Sequence, residues 1–322
     1  MGGMIGRRLL LWTNVAALVV HSAFLAWSLS AETKDSHEVQ LYRVRANWTE
    51  ASLAGFNLEL KEGMVLSYKF LSSFSFGAAV ASHALATLLL WKRDVDKDSF
   101  SRTYREWILT GFHPQRWLEY GFSASAQAVT LGLGVGIREQ YLLLAIFFLH
   151  AVTMYGGYVC ELHARPCPIE QDDDYDVRNP DESSCDCLCL TKWVQRQSWL
   201  SWFHYDGEFV WRDPFWTRLA PFWGGLLSIG TAWAILIVSF VQSVNDTRSL
   251  RGEDAPSIPP WVVMALFGTM VLFFSFAINC FLFIWARPST RRFVASEVIY
   301  CVLSLTAKVW LGSLILANVL MG

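Results

Sequence analysis

The chain has 322 residues, of which 53% are hydrophobic and only 17% charged, with a formal net charge of −2 and a mean hydropathy of +0.32. That balance argues against a soluble enzyme and for an integral membrane protein. No internal repeat or long low-complexity tract interrupts it, so residues 1–322 read as one domain, and the 16 tryptophans suit interfacial belts and an aromatic-lined pocket.

Arg7 and Arg8 precede an apolar run from Leu9 to Ser30. A cleavable signal peptide has an apolar core of only about 7–15 residues, so the run is read as a retained first span over about 8–30. Gly2 does not open a myristoylation site, because Gly6 stands where Ser or Thr is required. Residues 31 to about 66 are polar. The alternation in VQLYRVRANW, a break at Gly55 and the run FNLELK predict an antiparallel β-hairpin over the outer face. A second span over about 67–91 is stopped by Lys92 and Arg93.

The third span is placed over about 107–137. A helix starting at Pro114 would carry Glu119 only about 7 Å into the membrane, so the spacing favours a start near Trp107 and a bend at Pro114. The fourth span, about 141–163, follows the turn Arg138-Glu139-Gln140. In the long loop that comes next, KWVQRQSWLSWFHY carries Trp193, Trp199, Trp202 and Phe203 among polar residues, the pattern of a segment lying in the membrane interface. Cys185, Cys187 and Cys189, with Cys167 upstream, alternate in a way that does not match zinc spacing. No metal site is expected there, and reduced or lipid-bearing thiols are. Spans over about 215–241, 260–286 and 294–320 complete an all-α, seven-helix membrane bundle.

Lys and Arg concentrate at the N-terminus and after the second and sixth spans. This predicts a cytoplasmic N-terminus and an extracellular or lumenal C-terminus. The sequons at Asn47 and Asn245 then both fall on the outer side.

The last span contains EVIYCVLSLTAKV, Glu297 to Val309. Lys308 lies about 21 Å along the helix from Val294 and about 21 Å from the chain end, which is the bilayer midplane. A cation there is disfavoured by roughly 3 kcal/mol, and snorkelling over about 6 Å does not reach either interface. Condensing the amine with an aldehyde lowers the cost, since a Schiff base can stay charged opposite a carboxylate. Glu297, Tyr300, Ser304 and Lys308 share one helix face, and Arg116, Glu119, Ser123 and Gln127 form a polar ridge on the third helix. Glu119 is the partner for Lys308, or else pairs with Arg116 at the helix entrance.

RWLEY-GFSAS around Glu119, together with YCVLSLTAK around Lys308, resembles the heliorhodopsins, retinal-binding seven-helix photoreceptors of inverted orientation. The long first outer loop and the nearly absent C-terminal tail agree with that resemblance. It implies all-trans retinal on Lys308, Glu119 as counterion, Ser123 and Ser304 hydrogen-bonding near the linkage, and Phe276 lining the pocket. It further implies that Glu161 and Glu297 belong to a polar network toward the cytoplasmic side, with His21 and His83 receiving or sharing the released proton; Arg116 and Tyr300, on the same two polar helix faces, are counted with that network. Trp233 and Met154 are pocket candidates by residue type. Phe283 stands where the family tends to have glutamine. The expected function is light sensing that signals by a slow conformational change without net pumping, in a homodimer in membrane lipid, with a downstream cytoplasmic partner. No enzymatic activity and no nucleic acid are expected. The rivals are light-gated proton conduction through Glu161, Glu297 and the histidines, and a seven-helix receptor without chromophore.

Overall fold

The computed structural model describes residues 2–31, 38–52, 55–91, 111–164, 166–168, 209–211, 213–251, 258–285 and 290–320. Among these, the long apolar runs fold as α1 (Gly2–Ser30), α2 (Tyr68–Trp91), α3 (Pro114–Gly134), α4 (Gln140–His163), α5 (Phe215–Arg251), α6 (Pro260–Trp285) and α7 (Thr290–Ile315). A π-turn over Leu316–Leu320 continues α7. Consecutive helices pack side by side and α7 closes on α1, so the seven stand in a ring.

Six of the helices are long and apolar enough to cross a membrane. The exception is α3, whose polar ridge lowers its hydropathy, yet it is the most enclosed: every residue from Ser123 to Leu133 is buried. A polar helix sheathed by apolar ones is the arrangement an ionic site in a bilayer demands, because unpaired polar groups cannot face hydrocarbon. Leu88, Leu227 and Val271 point outward and are largely exposed, forming the lipid-facing surface.

The predicted hairpin is present as antiparallel β1 (Glu38–Ser52) and β2 (Gly55–Ser67), with Val44 opposite Leu60. It runs directly into α2. Val39 and Leu41 are buried beneath it, while Leu60 and Met64 face outward. The Tyr42 N–H donates to the Arg138 carbonyl at 2.9 Å, and the Met64 N–H donates to Gln140 Oε1 at 3.2 Å. Both tie the hairpin to the α3–α4 corner, where Gly136 turns the chain at φ +99. At the other end of the bundle a short ribbon joins β3 (Pro166–Pro168), which includes Cys167, to β4 (Phe209–Trp211). Trp193, Trp199, Trp202, Phe203 and the Cys185–Cys187–Cys189 cluster lie outside the described residues.

The helices differ from the expected spans at three boundaries. The third helix does not run through Pro114: Gly111 turns the chain at φ +65, Phe112 and His113 are not helical, and Pro114 opens the helix, where a missing N–H costs nothing. The fifth helix continues ten residues past 241 to Arg251, because no glycine or proline interrupts the chain between Gly230 and Gly252. Its 37 residues span about 55 Å, well beyond the ~30 Å hydrocarbon core, so Asn245 sits on an exposed helix rather than in a loop. The seventh helix begins at Thr290 rather than 294.

The backbones of α4 and α5 approach each other closely at Gly156 and Gly225. A Cβ at Gly156 would stand 3.1 Å from the Pro221 carbonyl oxygen and 3.3 Å from Gly225 Cα. Gly156→Val should therefore destabilise the protein by about 1–3 kcal/mol through overpacking. The check is the thermal unfolding midpoint in detergent, and an unchanged midpoint would mean the two helices do not approach this closely.

Candidate functional site

The helical spacing on α7 brings Glu297, Tyr300, Ser304 and Lys308 inward, and all four are buried. Lys308 is 3% exposed; its Nζ lies 3.0 Å from Glu119 Oε1 and donates to Ser304 Oγ at 2.7 Å. The Tyr120 ring adds a cation–π contact at 5.2 Å. Glu119 is level with Lys308 without the early helix start the sequence suggested. The chain is already buried at Phe112 and His113, so α3 begins inside the bundle rather than at its surface.

Next to the pair lies a cavity bordered by Lys308, Ser123, Ser304, Tyr120 and Gln127. It shares Met154, Phe273 and Phe276 with a larger slot of about 50 Å³ that extends between α4, α5 and α6 to Phe222 and Ile229. The slot's wall is largely apolar, and Gly157 makes room in it for the Trp117 ring, which a Cβ there would overlap. Among the described residues nothing hydrogen-bonds the buried Ser123 Oγ. A primary amine at one end of a long apolar slot, with a carboxylate and two hydroxyls around it, fits an apolar aldehyde.

Toward the ribbon end stands a second ionic cluster. Arg116 is 5% exposed and reaches both Glu161 and Glu297. His113 joins it, its backbone N–H donating to Glu161 Oε2 at 3.0 Å and its Nδ1 lying 2.6 Å from Glu297 Oε1. The alternative pairing of Arg116 with Glu119 is thus not adopted. The guanidinium instead stacks on Tyr300 at 4.0 Å and on Trp117 at 5.1 Å. Tyr120, Tyr300, Trp117 and Phe276 form a layer of edge-to-face and tilted rings between the two ionic clusters, pinned by the Tyr120 hydroxyl donating to the Tyr300 carbonyl at 3.0 Å.

His21 and His83 are brought together by α1 and α2, their rings stacked at 5.2 Å, and His83 Nδ1 lies 2.9 Å from Asn14 Oδ1. Met154 and Phe276 line the slot. Trp233 does not; it stands one helical turn from Ile229 and packs on Phe273. Phe283 is also elsewhere: it packs on Phe293 and lines the small cavity beside Glu297, so the glutamine-to-phenylalanine departure touches the Arg116 cluster rather than the slot. Sequence reasoning missed His113 and His150. The His-Pro step that opens α3 was the available signal for the first; His150 offers none, sitting in an apolar run. Among the described residues no three His, Cys, Asp or Glu side chains gather to hold a metal.

Arg116→Gln leaves two buried carboxylates uncompensated, at a cost of about 3–5 kcal/mol. The thermal unfolding midpoint should fall sharply, and adding Glu161→Gln should restore part of the loss. A full-stability Arg116→Gln protein would show that the carboxylates do not rely on the guanidinium.

Among curated proteins none matches this chain. A solved structure described as thermophilic rhodopsin superposes with a TM-score of 0.54 at 12% identity, covering 98% of this chain and 96% of that one, a likeness of fold. The heliorhodopsin family model matches residues 15–173 and 212–320. With most of its length so matched, and with the buried lysine and carboxylate facing each other inside the bundle, the chain belongs to the heliorhodopsin family.

Proposed function

We propose that this protein is a light sensor in which Lys308 carries all-trans retinal as a protonated Schiff base, with Glu119 as its counterion. The observation that carries the reading is the 3.0 Å pair between Lys308 Nζ and Glu119 Oε1, buried at the mouth of the apolar slot. The amine nitrogen would join the aldehyde carbon with loss of water. Bound retinal supplies visible absorption and light-driven isomerisation.

The chain's own residues do the rest. Glu119 holds the positive charge at Nζ, and Ser304 Oγ, 2.7 Å away, accepts from it. Ser123 Oγ, free of other partners among the described residues, is placed to take up a hydrogen bond at the same end. Phe276, Phe273 and Met154 exclude water from the slot, which keeps the ion pair strong. The stacked His21 and His83 are the candidate stores for a proton leaving Nζ.

Signalling is favoured over pumping by the distribution of titratable groups. Past Lys308 on α7, and past Tyr120 on α3, no titratable side chain follows to the hairpin end of either helix. A proton that leaves Nζ has acceptors beside it and toward Arg116, and none along these two helices in the other direction. The positive charges at the N-terminus and after α2 and α6 support a cytoplasmic N-terminus.

Lys308→Ala should lose the visible band completely on reconstitution with retinal; a retained band would move the linkage to another residue. Glu119→Gln should shift the band to longer wavelength, because removing the anion lowers the cost of moving charge along the polyene, and an unshifted spectrum would move the counterion elsewhere. Under voltage clamp the illuminated cell should show no sustained photocurrent. A voltage-dependent current would establish proton conduction instead.

A further inference from the structure

One helical turn from the slot, toward the hairpin end, three buried polar side chains lie on the three helices that form its far part. His150 precedes the slot residue Met154 by four on α4, Thr269 precedes Phe273 by four on α6, and Trp233 follows Ile229 by four on the oppositely running α5. All three offsets lead the same way, so the trio forms a layer on one flank of the slot. Each is at most 2% exposed. Among the described residues no hydrogen-bond partner meets His150 Nε2, Trp233 Nε1 or Thr269 Oγ1.

With a neutral imidazole, two of these three atoms have a fixed hydrogen-bonding role. His150 Nδ1 lies 3.0 Å from the Ile146 carbonyl, which can only accept, so Nδ1 carries the proton and Nε2 presents a lone pair. The Trp233 indole nitrogen can only donate. The Thr269 hydroxyl does either. The His150 and Trp233 rings are 6.3 Å apart at 67°, and both press on Phe273, at 5.7 and 5.9 Å. The two rings are thus immediate neighbours, each with an unmet polar atom, so one atom placed between those two nitrogens would serve both. That atom must donate to His150 and accept from Trp233. A carbonyl cannot donate, an ammonium cannot accept, and a methyl does neither; a hydroxyl oxygen does both.

We infer that His150, Trp233 and Thr269 form a binding site for one hydroxyl oxygen on the flank of the slot. The oxygen comes either from a buried water or from the ring hydroxyl of a hydroxylated retinal lying in the slot. The second source rests on the retinal reading above; the first does not. The three atoms are placed to distinguish ligands by one oxygen, since a buried donor and acceptor left unpaired penalise whatever fails to supply it.

The test uses the full chain. Ultraviolet resonance Raman spectra of wild type minus Trp233→Phe isolate the indole N–H band of Trp233, with and without retinal. The site predicts a hydrogen-bonded indole, its band weakened in His150→Phe. If Trp233→Phe does not fold, Thr269→Val serves, since it removes only a hydrogen-bonding group and should shift the same band. Reconstitution is then compared between retinal and 3-hydroxyretinal. Retention of 3-hydroxyretinal about ten-fold longer against hydroxylamine, the scale of one buried hydrogen bond, with the preference abolished in His150→Phe, assigns the oxygen to the ring hydroxyl. Equal retention, with an O–H stretch that shifts in ¹⁸O-labelled water and disappears in His150→Phe, assigns it to water. A Trp233 N–H that is free or directed at an aromatic face under every condition overturns the site. Should no pigment form with either retinal, the retinal reading fails, and the Raman band of the unpigmented protein still decides the trio.

Discussion

An ammonium and a carboxylate 3.0 Å apart, each under a tenth exposed inside a ring of apolar helices, set the terms for everything around them. Neither charge is tolerable alone at that depth, and their attraction only roughly offsets the desolvation of both. The pair therefore has to be matched in level, supported by further hydrogen bonds, and walled off from lipid. Ser304 supplies one of those bonds and Tyr120 a ring face. The wall is the reason α3 sits inside the bundle: the helix that brings Glu119 is too polar to face hydrocarbon, and its neighbours are apolar enough to enclose it.

The same logic operates a second time toward the ribbon end. One guanidinium answers two carboxylates, and His113 adds donors from its backbone and ring to the other oxygen of each. Between the two clusters lie Trp117, Tyr120, Tyr300 and Phe276. These rings pack as core, yet three of them also face cations, Tyr120 toward Lys308 and both Tyr300 and Trp117 toward Arg116. A change of charge at either cluster is thus felt first by an aromatic layer that contacts both.

The residues that carry chemistry were legible because they violate a strong rule. Lys308 stands out in an apolar helix, its face-mates follow at helical spacing, and Glu119 is on the α3 ridge that is otherwise unaccountable in a membrane span. The hairpin was legible for the opposite reason, since period-two alternation and a glycine break have a local meaning. What the sequence concealed depends on tertiary depth. A helix can start within a bundle when the loop before it is buried, so counting residues from Pro114 misjudged how deep Glu119 lies. The length of α5 was read from hydropathy, whereas a helix ends at a breaker, and Gly252 comes well after the apolar run. His150 and Phe283 had no local signature at all. Their roles arise only from which helices meet, and a side chain's neighbours across a bundle are not written in its own segment.

Glycine decides where the slot opens and where the bundle resists. Gly156 and Gly225 let α4 and α5 approach backbone to backbone, while one residue on, Gly157 leaves room for the Trp117 ring. Adjacent glycines therefore serve opposite faces, one closing a helix contact and the other shaping a cavity wall. The slot then lies against α6, which packs less closely on α5 than α4 does. Interlocked side chains transmit strain as a unit, and a seam with few of them yields at the lowest cost. A ligand that changes shape in this slot meets a rigid wall on the α4–α5 side. On the α6 side it meets Phe273 and Phe276, which touch the His150–Trp233 layer and the Tyr120–Tyr300 layer respectively. Through these two side chains α6 connects the slot to both polar layers at once.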